Sequence, residues 1–202
     1  MIAIIDYGMG NIHSVNKALQ IAGAKTIVTN HAKEIASCDK AVLPGVGAFA
    51  DAMRELKKQK LIPVIKELVK NKTPLLGICL GMQLFFAASD EAEKTKGLGL
   101  LKGKVKRFPE RQNFKVPHMG WNQIKVTGAC PLFKDIISPA YVYFCHSYYP
   151  ESKDKSLAAA SADYGTKFTA AVWQNNLYGV QFHPEKSQGI GLKMLKNFVE
   201  LC

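Results

Sequence analysis

The sequence predicts an α/β protein in three layers: an open, mixed, mostly parallel sheet flanked by helices, with additional antiparallel strands in the C-terminal half. Two observations predict it. Through the first half, short apolar runs alternate with apolar residues at helical spacing, the pattern of parallel strands joined by helical crossovers. In the second half the helical patterns give way to strands with polar alternation, as antiparallel strands with one wetter face show.

The elements follow in order. Residues 2–7 form a buried-type strand, and Gly8-Met9-Gly10-Asn11 a turn. Val15, Ala18, Leu19 and Ala22 then recur at helical spacing up to Gly23. Residues 25–29 are a second strand, and 41–43 a third, stopped by Pro44-Gly45-Val46-Gly47. Helical patterns cover 48–58 and 61–71. Residues 75–78 are a fourth strand, feeding a helix over 80–88. Strands are then expected at 105–108, 122–126, 142–146, 158–162, 170–174 and 178–182, with Asn175-Asn176 as a hairpin turn before the last. A closing helix carries Ile190, Met194, Leu195, Phe198 and Leu201 on one face. Nothing reads as a linker, so residues 1–202 are expected to form one domain, long enough for a substantial core.

Composition narrows the function classes. With 48% hydrophobic and 21% charged residues the chain is an ordinary soluble type. Its longest apolar stretch, 74–88, is too short to span a bilayer, and the N-terminus reads as a strand rather than a signal peptide. Five irregularly spaced cysteines without a CxxC speak against a disulfide framework or a structural zinc, and fit a reducing cytoplasm. No HExxH or second metal-spaced cluster occurs, so no metal and no cofactor are expected. The net charge of +11 reads most simply as a solvated basic surface. An acidic partner protein is the next reading. Nucleic-acid binding is the weakest, because the lysines lie mostly in helical stretches.

The chemistry concentrates in two segments. Gly77-Ile78-Cys79-Leu80-Gly81 places a thiol where a strand turns sharply into a helix, with glycines two before and two after it, the logic of the nucleophile elbow. A helix N-terminus there would favour the thiolate. A thiolate attacks a carbonyl carbon to give a thioester, and the oxyanion then formed needs two donors. The backbone N–H of Leu80 is one candidate. The other falls on Val46 and Gly47 in Gly45-Val46-Gly47, which reads equally well as an ordinary strand-to-helix turn. The second segment, His183-Pro184-Glu185, offers a base with a carboxylate two positions on; on a strand both would point to one side, where Glu185 can fix the imidazole tautomer. Taken singly, each segment has a plainer reading: a buried structural cysteine, and a surface pair. His146 is the rival base and Cys145 the rival nucleophile, the latter mid-strand without flanking glycines.

These residues make the chain similar to class I, triad-type glutamine amidotransferases over essentially its whole length. The residues 44–49, 77–83 and 179–185 match the three main blocks of that family in order. The blocks 4–11, 115–122 (Lys115-Val116-Pro117-His118-Met119-Gly120-Trp121-Asn122) and 185–188 resemble more narrowly the glutaminase subunits of imidazole glycerol phosphate synthase, in histidine biosynthesis. The resemblance implies hydrolysis of L-glutamine to glutamate and ammonia, and delivery of the ammonia to a (β/α)8-barrel cyclase subunit. That subunit makes imidazole glycerol phosphate and an aminoimidazole carboxamide ribotide. By position it implies Cys79 as nucleophile, His183 as base and acid, Glu185 as orienting carboxylate, and Gln83, Ser147 and Tyr148 in substrate binding. It sets Asn11, Tyr143 and Lys186 near the partner, although Asn11 also reads as a helix N-cap and Lys186 as an exposed charge. Two alternatives remain: a paralogous glutaminase supplying ammonia for surface-sugar amidation, and a non-catalytic regulatory subunit that kept the fold.

Overall fold

The computed structural model describes residues 1–110, 114–152 and 154–202. Twelve strands and six α-helices occur among them. The first half runs β1 (Ile2–Ile5), α1 (Ile12–Ile21), β2 (Thr26–Thr29), α2 (Ala32–Ala36), β3 (Lys40–Gly45), α3 (Phe49–Lys58), α4 (Leu61–Lys70), β4 (Leu75–Cys79), α5 (Leu80–Gln83) and β5 (Phe86–Ser89). The second runs β6 (Leu101–Arg107), β7 (His118–Val126), β8 (Ala140–His146), β9 (Tyr148–Glu151), β10 (Ala158–Asp163), β11 (Lys167–Gln174), β12 (Leu177–Val180) and α6 (Gln188–Leu201).

Nine strands form one sheet in the order β2-β1-β3-β4-β12-β11-β10-β7-β8. It is parallel from β2 to β12 and antiparallel from β12 to β8. All four residues of β1 and all five of β4 are buried, as strands covered on both faces must be. Alternation divides them between two cores. Ile2 and Ile4 pack with Val15 and Leu19 of α1 and Leu195 and Phe198 of α6. Ala3 and Ile5 pack with Phe49 and Leu56 of α3 and Leu61 and Leu68 of α4. The expected three-layer mixed sheet with an antiparallel C-terminal part is therefore present. Asn175-Asn176 makes the two-residue turn between β11 and β12, with Gln174 paired to Leu177 and Asn175 at φ +55°.

Two local expectations change, and two short elements appear that the sequence pattern does not announce. The helix expected over 80–88 is a single turn, α5, and Phe86–Ser89 is instead a strand of a second sheet, β5-β6-β9. The backbone of 84–87 bonds to the next segment rather than to itself: Leu98 N donates to Leu84 O, Leu101 N to Phe85 O and Gly97 N to Ala87 O. A Cβ on Gly97 would sit 2.0 Å from Phe86 O, so only glycine permits this approach. Helix α2 and strand β9 carry too few periodic residues to announce themselves. Leu201 lies exposed rather than on the buried face of α6.

Candidate active site

Cys79 ends the central parallel strand β4 and caps α5, at φ +53° and ψ −111°. A non-glycine residue held there costs of order 1–3 kcal/mol, which the surrounding packing must hold in place. The flanking glycines explain how. A Cβ at position 77 would lie 2.7 Å from Met82 N in α5, and one at 81 would lie 1.8 Å from Leu43 O in β3. Glycine at 77 thus lets α5 fold back on β4, while glycine at 81 lets it lie against the neighbouring strand. With α5 only one turn long, the helix dipole foreseen for the sulfur has little to act through. The groups around Sγ come from side chains and strands instead.

Parallel register supplies them. Gly45 of β3 pairs with Cys79 on one side. On the other, Val180 pairs with Ile78, so the next residue, Gln181, runs beside Cys79. Its Nε2 donates to Sγ at 3.6 Å. The sulfur faces the Cys145 carbonyl of β8 at 3.9 Å.

His183 follows two residues after Gln181. Its backbone N–H donates to Tyr143 O at 2.9 Å, and its carbonyl accepts the Ser187 hydroxyl at 2.6 Å. Ser187 Oγ in turn accepts Tyr143 N–H at 3.0 Å, so the imidazole is carried by a frame tied to β8. Nδ1 of His183 meets Glu185 Oε1 at 2.8 Å, with both side chains almost wholly buried. A 3-10 turn over Pro184–Lys186, rather than the expected continuous strand, brings the carboxylate round. Burial acts to lower the His183 pKa, but the Cys79 sulfur and the Glu185 carboxylate beside it outweigh this and raise it to about 10. The two together hold a protonated imidazole next to the sulfur.

A cleft of about 300 Å³ opens over this group. Of the residues singled out in the sequence, Cys79, Leu80, Val46, Gly47, Gln83, Ser147, Tyr148, His183 and Lys186 all line it. Glu185 sits behind His183 and lines a separate groove with His13, Ser14 and Lys17 of α1. Asn11 occupies the N-cap position of α1, yet its side chain makes no cap hydrogen bond. Tyr143 lies on β8 with its ring 6.2 Å from Trp121 and 5.7 Å from the Lys186 ammonium. A larger cavity of about 570 Å³ lies between β10, β11 and the segment after β9, but no cysteine or histidine lines it among the described residues.

The rivals fall away on geometry. Nδ1 of His146 donates to Tyr148 O at 2.8 Å, and its Nε2 meets His118 Nδ1 at 3.0 Å. Nε2 of His118 then meets the Asn122 amide at 3.3 Å. The carbonyl can only accept and the amide only donate, so both imidazoles are neutral, with every nitrogen engaged. Burial agrees, pushing His118 down to about 4 and His146 to about 3. His146 therefore has no free nitrogen for a proton. Cys145 also lines the cleft and sets its carbonyl against the Cys79 sulfur, but it has neither the positive-φ turn nor the flanking glycines of Cys79.

Four residues escaped the sequence reading. Gln181 lies inside a quoted block and was passed over, although strand register alone sets it beside Cys79. Glu91 is the one carboxylate lining the cleft among the described residues, and it accepts Phe49 N–H at 2.9 Å. No motif surrounds it. Tyr7 and His118 act through hydrogen bonds across 37 and 28 residues, which no local pattern reports.

The profile of the class-I glutamine amidotransferases matches residues 3–202. This chain belongs to that family. It is accordingly a glutamine amidotransferase, an enzyme with glutaminase chemistry. Among curated relatives, the imidazole glycerol phosphate synthase subunit HisH of Thermosynechococcus vestitus is 48% identical, over 99% of this chain and 96% of its own. The subunit of the same name from Syntrophotalea carbinolica is 48% identical over the full length of both. Among solved structures, a glutamine amidotransferase crystal structure superposes with a TM-score of 0.77 over 98% of this chain and 97% of that one, at 15% identity. The structure of PurLQS from Thermotoga maritima gives 0.71 over 98% and 95%, at 19% identity. At such identities these two establish the shared fold alone. No described helix is long and apolar enough to cross a membrane.

Proposed function

We propose that this chain is the glutaminase subunit of an imidazole glycerol phosphate synthase, acting as one domain over residues 1–202 in the cytoplasm. It would hydrolyse L-glutamine through a Cys79 thioester and pass the ammonia to a (β/α)8-barrel cyclase subunit. That partner makes imidazole glycerol phosphate and aminoimidazole carboxamide ribotide. The observation that carries the chemistry is the meeting of the Cys79 sulfur and the His183 imidazole in one cleft sized for an amino acid, with the Glu185 carboxylate bonded to Nδ1 of that imidazole from behind. The full-length identity to relatives bearing that synthase's name supports the choice of pathway.

The steps follow from the groups present. The Cys79 thiolate adds to the side-chain amide carbon of glutamine, and the carbonyl oxygen becomes an oxyanion. The Leu80 N–H and the Val46–Gly47 peptide are the donors assigned to it. His183 gives its proton to the departing nitrogen, so ammonia leaves and the thioester remains. The now neutral imidazole takes a proton from water as the water oxygen attacks. Collapse of that adduct expels the thiolate and leaves glutamate. Glu185 holds the imidazole in one orientation through both halves.

The amino-acid end of the substrate has its own partners. Ser147 and Tyr148 supply backbone for its carboxylate, and Glu91 supplies a charge for its ammonium. Gln83 spends its amide nitrogen on Tyr148 O at 2.9 Å, leaving its carbonyl oxygen for the substrate. Lys186, Tyr143 and Asn11 are assigned to the partner face.

The reading is tested by co-purifying the chain with a candidate cyclase and assaying synthesis with the nucleotide substrate. Cys79→Ala is expected to abolish glutamine-dependent synthesis and covalent labelling by a glutamine-analogue electrophile, and to spare synthesis from added ammonium. A Cys79→Ala variant that still turned over glutamine would sink the assignment.

A further inference from the structure

We infer that Gln181 is a catalytic residue of the glutaminase, donating a side-chain N–H to the Cys79 sulfur and so favouring the thiolate over the thiol. The inference deepens the reading of Cys79 as nucleophile and rests on it.

The argument begins with which end of the amide faces the sulfur. Tyr148 O is a backbone carbonyl and accepts only. It receives Gln83 Nε2 at 2.9 Å and His146 Nδ1 at 2.8 Å. The orientation of the Gln83 amide is therefore fixed by the backbone. The same Nε2 meets Gln181 at 3.1 Å, and the atom it meets must be the acceptor, Oε1. Gln181 then has its Nε2 left for Sγ, 3.6 Å away. Reversing the Gln181 amide would set two donors face to face.

Burial gives this direction its weight. Gln181 is fully buried, and a buried amide is retained only where its polar atoms are engaged. A thiol sulfur is a weak acceptor, whereas a thiolate is a strong one, so this contact gains most from the charged form. On its other side the sulfur faces Cys145 O at 3.9 Å, a contact that a thiol can donate to and a thiolate cannot use. The two neighbours thus pull the proton equilibrium in opposite directions. Gln181 acts with the His183 imidazolium, and the Cys145 carbonyl acts against them. Titratable groups facing the sulfur or lining its cleft are His183, the Tyr7 phenol, the neutral His146, Cys145, Tyr148, Glu91 and Lys186.

The chain Tyr148 O, Gln83, Gln181, Sγ also joins the backbone assigned to the substrate with the nucleophile. A substrate that shifts Tyr148 or Gln83 acts on the same donor that serves the sulfur.

The test is the pH dependence of Cys79 alkylation by iodoacetamide in the full chain, for wild type, Gln181→Leu and Gln181→Glu, with Cys79→Ala as the blank. Loss of one charge-assisted hydrogen bond is expected to move the profile of Gln181→Leu upward by about one pH unit. With the partner present, kcat falls about tenfold and KM changes little. Gln181→Glu keeps the acceptor for Gln83 but sets a carboxylate against the sulfur, and moves the profile further in the same direction. Profiles that superimpose on wild type would overturn the inference, even if thermal stability had dropped. Should the variants not fold, the wild type decides. The Gln181 side-chain amide protons are expected to shift downfield across the alkylation transition, and unmoved resonances overturn the proposal. Failure of the underlying reading is seen separately, as glutamine turnover surviving in Cys79→Ala.

Discussion

Tyr7 donates its phenolic proton to the carbonyl of Pro44 across 2.9 Å, tying the residues after β1 to the strand end that forms one wall of the cleft. Burial first, and the Cys79 charge second, hold this phenol well above the usual tyrosine range, so it stays a donor at every working pH. Five residues on, Phe49 N–H donates to Glu91. The segment from Gly45 to Ala48 is therefore pinned at both ends. Between the pins Val46 is exposed and Gly47 adopts φ +95°. Tyr7→Phe removes the first pin and leaves the Pro44 carbonyl short of a donor inside the protein. A stability loss of about 1 kcal/mol is expected, with a fall in kcat for glutamine larger than the change in KM. Urea melts and steady-state kinetics on the same preparation check it.

The same segment, proposed to hold an oxyanion donor, is expected to set what the chain does alone. Gly47 carries a backbone conformation that peptide rotation can leave, and one misaligned oxyanion donor typically costs about 10²–10³ in rate. The isolated chain is expected to hydrolyse glutamine slowly and to be stimulated by that order when the proposed partner binds and selects the aligned state. Ammonia release by the purified chain, with and without partner, measures it. Full turnover without any partner would rule the idea out.

Glu91 combines two roles that one substitution separates. Its carboxylate accepts Phe49 N–H and also brings a negative charge to the cleft. Glu91→Gln retains an acceptor for Phe49 and removes the charge. The expected outcome is a KM for glutamine raised about tenfold, with kcat and melting temperature close to wild type. An equal loss in kcat at unchanged KM would mean that Glu91 acts through the oxyanion segment alone.

How much of this was legible in the sequence depends on how local the cause is. The parallel strands announced themselves because burial on both faces makes continuous apolar runs such as Leu75-Leu76-Gly77-Ile78. The cleft residues Cys79, His183 and Gln83 sit in glycine- or proline-marked blocks, where chain geometry leaves its print on residue type. The helix over 80–88 failed for the converse reason. Its apolar residues fit a helix as well as a strand, and the choice was made by Gly97, which admits a distant backbone to pair with Phe85 and Ala87. Gln181, Glu91 and Tyr7 were missed because their partners lie 102, 42 and 37 residues away. The strand beside β4 was visible; which of its residues would abut Cys79 was a matter of register.

The buried pair His118 and His146 makes a prediction about acid. Both are held neutral, through burial above all, with pKa values depressed to about 4 and about 3 from an ordinary 6.5. In the unfolded chain each takes up a proton below pH 6.5, whereas in the folded chain neither does until pH 4 or lower. At these two histidines the unfolded state thus binds up to two more protons across this window, so their contribution to stability rises with pH there and is lost as pH falls. Each histidine contributes a slope of about 1.4 kcal/mol per pH unit near pH 5. His118→Phe keeps a ring among Phe108, Phe144, Tyr164 and Phe168 but binds no proton, and so removes its own share of the slope, while leaving His146 Nε2 without its donor. The variant is expected to be less stable than wild type at pH 7 and to close part of that gap at pH 5. Chemical denaturation at half-unit steps from pH 7 to pH 5 measures both slopes, and parallel curves for the two proteins would show that His118 is not held neutral in the fold.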